Sequence, residues 1–143
     1  FVCVGPGPDA YRQHLQALSD AAGLSGRMIF PGGCRDMPAA YNALDIFVSA
    51  SLSEGSPNVL GEAMACGVRA ITTDVGDAAW LMADYGEVVP PGDEEALYLA
   101  MRRACLQRTR PERDPRERII QVFDVTFLEQ RTVALLSALP GMK

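Results

Sequence analysis

Two acidic residues with seven others between them, Glu54 and Glu62, flank the run Gly55-Ser56-Pro57-Asn58-Val59-Leu60-Gly61. Pro57 and Asn58 are expected to open a helix, whose first N–H groups have no intrahelical acceptor. Those amides and the positive helix end suit an anion such as a diphosphate. Glu62 is one turn beyond Asn58 and therefore on the same side of the helix. A carboxylate there can accept hydrogen bonds from two neighbouring hydroxyls, as on a ribose. Glu54, at the mouth of the site, can accept from hydroxyls on the far side of the phosphates, and Gly55 lets the backbone approach a ligand closely. Either acid alone reads as an ordinary solvated side chain. Together they suit a molecule with charge in its middle and hydroxyls at both ends, a nucleoside–diphosphate–sugar.

These residues need a scaffold, and the rest of the chain supplies one. Short apolar runs at residues 1–4, 27–30, 45–49, 68–73 and 87–89 read as strands. Between them lie amphipathic stretches at 9–22, 36–43, 58–66 and 78–82, with Asp9 as the expected cap of the first helix and Gly23 and Gly67 as stops. Asp93 caps a further helix whose apolar face is Leu97, Ala100, Met101, Ala104 and Cys105, and helices at 116–123 and 126–139 complete the chain. Alternation of strand and helix predicts an α/β fold, a Rossmann-like parallel sheet with helices on both faces. Ligands bind such sheets beyond the carboxyl ends of the strands, so the loops at 5–8, 31–36, 51–57 and 74–77 are the places to search.

The first of these loops, Gly5-Pro6-Gly7-Pro8-Asp9-Ala10, matches a dinucleotide fingerprint in outline. Pro6 and Pro8 have no N–H to offer a phosphate, and the second strand ends in Pro-Gly-Gly rather than in an acid that would hold a ribose. A tight strand-to-helix turn beside a ligand is the better reading.

Composition narrows the function further. Nearly half of the 143 residues are apolar, 48%, which is ample for one core. The net charge of −5 disfavours nucleic acid, whose phosphates require a basic footprint. Cys3, Cys34, Cys66 and Cys105 stand far apart and His14 is the lone histidine, so neither a zinc site nor a disulfide framework is expected. Cys3, Cys66 and Cys105 have apolar neighbours and are expected to be small buried residues in a reducing, cytoplasmic setting. No run is long and apolar enough to cross a bilayer. Phe1 falls directly on a strand with no Met or polar leader, which predicts a piece of a larger protein.

The segment E-G-S-P-N-V-L-G-E-A-M-A-C-G resembles the E-x7-E motif of retaining glycosyltransferases, in particular family 4 of the GT-B fold. Similarity continues through G-P-G-P, A-L-D-I-F-V-S-A-S, T-D-V-G-D and E-V-V-P-P-G-D-E-E-A-L, in family order and over nearly the whole chain. The resemblance implies two Rossmann-like domains facing a cleft, of which residues 1–143 would be the second, the nucleotide-sugar-binding domain, with the N-terminal acceptor domain missing. It implies that Glu54 is the activity-critical residue, at a donor-sugar hydroxyl. Gly55 and Ser56 would face the sugar, and the amides of Val59 and Leu60 would hold the diphosphate, with Asn58, at the helix start, also among the donor-binding residues. Glu62 would hold the ribose, Cys34 and its neighbours from 31 on would line the base, and Gly5 and Gly7 would border the donor. The donor would be of UDP or GDP type, a substrate rather than a cofactor, with retention of anomeric configuration and no bound metal.

Some features depart from that pattern. The family's second domain opens with one more strand and a loop carrying an Arg and a Lys near the diphosphate, and nothing here matches those two cations. Pro57 stands where glycine is common and Arg69 where proline is common. The chain by itself is therefore expected to transfer no sugar. An epimerase on the same fold, a dinucleotide-dependent oxidoreductase and a non-catalytic binding module stay open on the residues alone, as does membrane association through the missing half. Among smaller signals, the arginines of 108–118 alternate with acids and are expected to form a solvated connector. His14 should be exposed, Trp80 and Met82 should pack, and the apolar last helix suggests weak self-association.

Overall fold

The computed structural model describes residues 1–107 and 113–139. The chain forms two compact units, Phe1–Ala40 and Tyr41–Lys143.

In the first unit, β1 (Val2–Val4) and β2 (Ile29–Gly32) pair in parallel, Val2 opposite Ile29 and Val4 opposite Gly32. Parallel partners need a crossover, and α1 (Asp9–Ala21) provides it. Asp9 is not the cap of α1. Pro8 occupies that position without a side-chain hydrogen bond, and Asp9 is the first helical residue, accepting from Arg12 at 2.8 Å. Its charge still sits where the helix dipole favours an anion. The second strand starts later than residue 27, because the amides of Arg27 and Met28 both donate to the Leu24 carbonyl in a turn. His14 is exposed, as expected. Cys3 is exposed rather than buried, as is Val2 beside it, and Val4 alone of the three β1 residues is half-buried, so the short strand covers little of either face.

The helix α2 (Met37–Asn42) runs across the boundary between the units. The second unit then holds β3 (Ile46–Ser49), α3 (Asn58–Ala65), β4 (Arg69–Thr73), α4 (Ala78–Met82), β5 (Glu87–Val89), α5 (Glu94–Leu106), α6 (Pro115–Phe123) and α7 (Val125–Ser137). Its sheet has the order β3-β4-β5 and is wholly parallel. Ile46 faces Arg69, Ser49 faces Thr72, and Thr73 faces Val89.

Alternation along β4 builds a core on each face of this sheet. Ala70 joins Leu60, Met64, Ala78, Leu81, Met82 and Tyr85, with Ile119 and Val122 of α6 packed against them. Ile71 points the other way, to Val89, Ala100 and Ala104. So α3, α4 and α6 cover one face and α5 the other, the arrangement expected from the sequence. Burying each of Leu60, Met64 and Met82 contributes about 1.5–3 kcal/mol. Asp93 caps α5 by accepting from the Ala96 amide at 2.9 Å.

The end of α3 is set by Gly67, at φ +76°. The Gly67 amide donates to Met64 and the Val68 amide to Ala63, at 2.9 and 3.1 Å, the paired closure that a left-handed residue permits. Val68 is thereby turned into β4, which fixes where α3 stands over the sheet.

Other expectations are corrected. Cys105 is exposed and Cys66 only half-buried. Ala100 and Ala104 define the buried stripe of α5, and Cys105 is rotated one position past it. Of the basic stretch, residues 108–112 lie outside the described residues. Arg113 and Arg116 are exposed, as expected of a solvated stretch, but they and Arg118 are also bonded to the rest of the second unit, and Arg116 and Arg118 lie in α6. Arg116 donates to the Cys66 carbonyl at 2.8 Å, and Arg118 to those of Trp80 and Leu81 at 2.6 and 3.2 Å. They cap the carboxyl ends of α3 and α4 with positive charge. Arg113 pairs with Asp84 and lies over the Tyr85 ring. Met82 is fully buried, as expected, while Trp80 is mostly exposed, in a T-shaped contact with Phe123 and under the Arg118 guanidinium. None of the residues of α7 is buried.

Candidate functional site

At the carboxyl ends of β3 and β4 two loops are tied together. The Thr73 hydroxyl, at the end of β4, donates to the Ser51 carbonyl at 2.6 Å. The Asp77 amide donates to the Gly55 carbonyl at 3.0 Å. Gly76, at φ +52°, passes so near this strand of loop that a β-carbon would stand 2.0 Å from the Gly55 oxygen and 2.5 Å from that of Glu54. The backbone of residues 51–55 is therefore held by the loop after β4.

Glu54 projects from that loop into solvent. Its Oε1 accepts from the Ser51 hydroxyl at 2.8 Å, and Ser51 Oγ lies 3.4 Å from Ser49 Oγ at the end of β3. One side of the carboxylate is thus oriented by the strand end, and its other oxygen can accept from a ligand hydroxyl.

Beyond Ser56, α3 begins without a side-chain cap. The Leu60 and Gly61 amides both donate to the Pro57 carbonyl, at 3.0 and 3.4 Å. The Asn58 and Val59 amides meet no backbone carbonyl among the described residues. Leu60 was expected at the diphosphate. Its amide is engaged within the helix and its side chain is fully buried, so its place is to anchor the helix start in the core. The two unpaired amides sit one turn before Glu62, at an exposed helix end with positive partial charge.

Glu62 is exposed, but its Oε2 accepts from the Tyr41 phenol at 2.8 Å. Tyr41 is 3% accessible and meets Phe47 edge-on, with centroids 6.0 Å apart. Burial, then the hydrogen bond and negative charge of Glu62, push the Tyr41 phenol well above its ordinary value, so it remains a donor. Sequence reasoning missed Tyr41, and it placed Thr73 and Gly76 in the T-D-V-G-D run without assigning either a role. Tyr41 is an aromatic in a short helix, 21 residues before Glu62, and no spacing rule joins the two.

The structure brings Glu54, Gly55, Ser56, Asn58, Val59, Leu60 and Glu62 together in the second unit. Gly5, Gly7 and Cys34 belong to the first. There the Gly5 amide is engaged by the Gly32 carbonyl at 3.0 Å, which leaves it no N–H for a ligand. Gly7 is exposed, and the Cys34 thiol turns back to the Asp36 carbonyl at 3.3 Å. A broad cleft of about 860 Å3, lined by Asp45, Cys66 and Arg69 among others, opens at the opposite, amino ends of β3 and β4. Ligands of parallel sheets occupy the carboxyl ends.

Comparison with known proteins identifies the family. The family model for glycosyl transferases group 1 matches residues 1–107. Lipopolysaccharide core biosynthesis mannosyltransferase LpsB of Rhizobium meliloti is 37% identical over 86 residues, which are 60% of this chain and 22% of that protein. Lipopolysaccharide core biosynthesis glycosyltransferase LpsE of the same organism is 29% identical over 134 residues, 90% of this chain and 39% of its own length. The chain thus spans less than half the length of these relatives. Among solved structures, HepE of Anabaena in complex with UDP superposes with a TM-score of 0.86 at 26% identity, covering 96% of this chain and 40% of HepE. Its complex with UDP-glucose gives 0.80 at 27%, with the same coverage. With its parallel sheet covered on both faces and a family match over most of its length, this chain belongs to the glycosyl transferases group 1 family.

Proposed function

We propose that residues 1–143 form the nucleotide-sugar-binding domain of a retaining GT-B glycosyltransferase that moves a sugar from a UDP- or GDP-type donor to an acceptor held by a separate N-terminal domain. The observation that carries this reading is the start of α3: two unpaired amides, Asn58 and Val59, between the exposed carboxylates of Glu54 and Glu62. The diphosphate lies on the amides, the ribose hydroxyls on Glu62, and a donor-sugar hydroxyl on Glu54, with Gly55 and Ser56 lining the sugar. As the glycosidic bond breaks, charge grows on the diphosphate, and the fixed amide dipoles stabilise it without reorganising. No metal ion enters this scheme. HepE, bound to UDP and to UDP-glucose in its crystals, supports the donor class. No helix among the described residues is long and apolar enough to cross a membrane. The four cysteines, none of them in a disulfide, fit a cytoplasmic setting.

The test is a titration of the isolated chain with UDP, GDP and NAD, followed by amide NMR shifts with EDTA present. We expect shifts at Asn58 and Val59 with a nucleoside diphosphate, lost in Glu62→Ala. Shifts with NAD alone would move the assignment to an oxidoreductase. Incubation with nucleotide-sugars and candidate acceptors should yield no transfer by this chain alone.

A further inference from the structure

Glu62 is an exposed side chain with several free rotors, yet recognition of two adjacent hydroxyls requires a carboxylate already turned toward them. The only side-chain hydrogen bond that holds it among the described residues comes from Tyr41. That phenol is itself held by packing: Tyr41 is 3% accessible and its ring meets Phe47 at an interplanar angle of 70°. Its hydroxyl is the one polar atom of a buried ring, and it is directed at Oε2 from 2.8 Å. A carboxylate has about four acceptor positions, so donation to Oε2 leaves Oε1 and a further lone pair for a ligand. A tyrosine placed only to fill the core has no need of a hydroxyl aimed at a solvent-facing carboxylate; phenylalanine would fill the same space.

We propose that Tyr41 is a positioning residue which, by holding Glu62, makes the site select ribonucleotides over 2′-deoxyribonucleotides. The inference rests on the reading of Glu62 as the ribose contact given above. Tyr41 touches no ligand. It acts through Glu62 alone, so it governs the hydroxyl-dependent part of binding and leaves the phosphate-dependent part to the amides of Asn58 and Val59.

The experiment measures the affinities of wild-type chain and Tyr41→Phe for UDP, 2′-deoxy-UDP and inorganic pyrophosphate by calorimetry, with GDP and 2′-deoxy-GDP in parallel. Wild type should favour the ribonucleotide. In Tyr41→Phe, UDP should bind about tenfold more weakly, the scale of one charge-assisted hydrogen bond, while pyrophosphate is unaffected and the ribose preference is lost. In a Glu62→Ala background, Tyr41→Phe should change nothing further. A Tyr41→Phe chain that keeps the wild-type preference overturns the role of Tyr41, even where Glu62→Ala abolishes it and so supports the site. If pyrophosphate affinity falls in step with UDP, the residue is structural and the inference also fails. A wild type that binds none of these probes, or binds them without preference, overturns the site reading and this inference with it. Should Tyr41→Phe not fold, Tyr41→4-fluorophenylalanine, which keeps the size of the ring and its para substituent without an O–H donor, carries the same comparison.

Discussion

The backbone of Gly76 lies directly against the Gly55 carbonyl, so close that a β-carbon would stand 2.0 Å from the oxygen. The neighbouring Asp77 amide donates to that same carbonyl at 3.0 Å. The loop that carries Glu54 is thus shaped by the loop after the next strand. Because the obstruction is backbone and φ at Gly76 is +52°, no side chain can be added without moving one of the loops. Gly76→Ala should cost about 3 kcal/mol or more from clash and left-handed strain. A thermal melt should show a fall of roughly 8–10 °C. A melting temperature equal to wild type would mean that the loops are not in contact.

Glu54 and Glu62 should fail in different ways. On the proposed reading, Glu54 meets the sugar and not the nucleotide. Glu54→Gln should leave UDP affinity alone and weaken UDP-glucose about tenfold, the scale of a charged hydrogen bond. Ser51→Ala, which frees Oε1 of Glu54, should do the same to a smaller extent. Competition between UDP and UDP-glucose is the measurement. Equal losses for both ligands in Glu54→Gln would remove Glu54 from the sugar.

Arg116 links the start of α6 to the end of α3 through the Cys66 carbonyl at 2.8 Å. Its side chain is more than half exposed, so the ion pair with Asp114 at 3.5 Å adds little. The carbonyl contact and the helix dipole should dominate, and Arg116→Ala should cost about 1 kcal/mol. Urea unfolding reads this directly. Arg116→Lys should recover only part of the loss, since an ammonium cannot reproduce the planar guanidinium.

Tyr41 makes stability depend on alkaline pH. Below its ordinary value of 10.0 the phenol is protonated in folded and unfolded chains alike, and its contribution is fully present. Above that value the unfolded chain releases the proton while the folded chain retains it, so the unfolded state gains and stability falls as pH rises toward the higher folded value. Urea midpoints at about pH 8 and about pH 11 should therefore diverge more in wild type than in Tyr41→Phe. An identical pH dependence in both would show that the phenol is not perturbed.

Asp124 works at the acid end. Its carboxylate caps α7 by accepting from the Thr126 amide at 2.9 Å, and its pKa is lowered by hydrogen bonding to Thr126. Stability from this cap is present above the ordinary aspartate value and is lost as pH falls through the lowered one. Helicity of α7, followed by amide NMR, should decline on acidification and should be reduced at neutral pH in Asp124→Ala.

The parts of this molecule that depend on neighbours in sequence were determined by the sequence itself. The spacing of Glu54, Asn58 and Glu62, the start of α3 beyond Pro57, its end at Gly67 and the Asp93 cap follow from helical periodicity and backbone stereochemistry, which act over a few residues. What depends on which strand lies beside which was decided only in three dimensions. The Tyr41 bond to Glu62, the Thr73 bond to Ser51 and the meeting of Gly76 with Gly55 each join residues 21 or 22 apart, across elements whose mutual placement comes from packing the β3-β4-β5 sheet. For the same reason apolar neighbours misled for Cys105. A residue's burial is set by the face its element turns to the core, and hydrophobicity along the chain states that face only approximately.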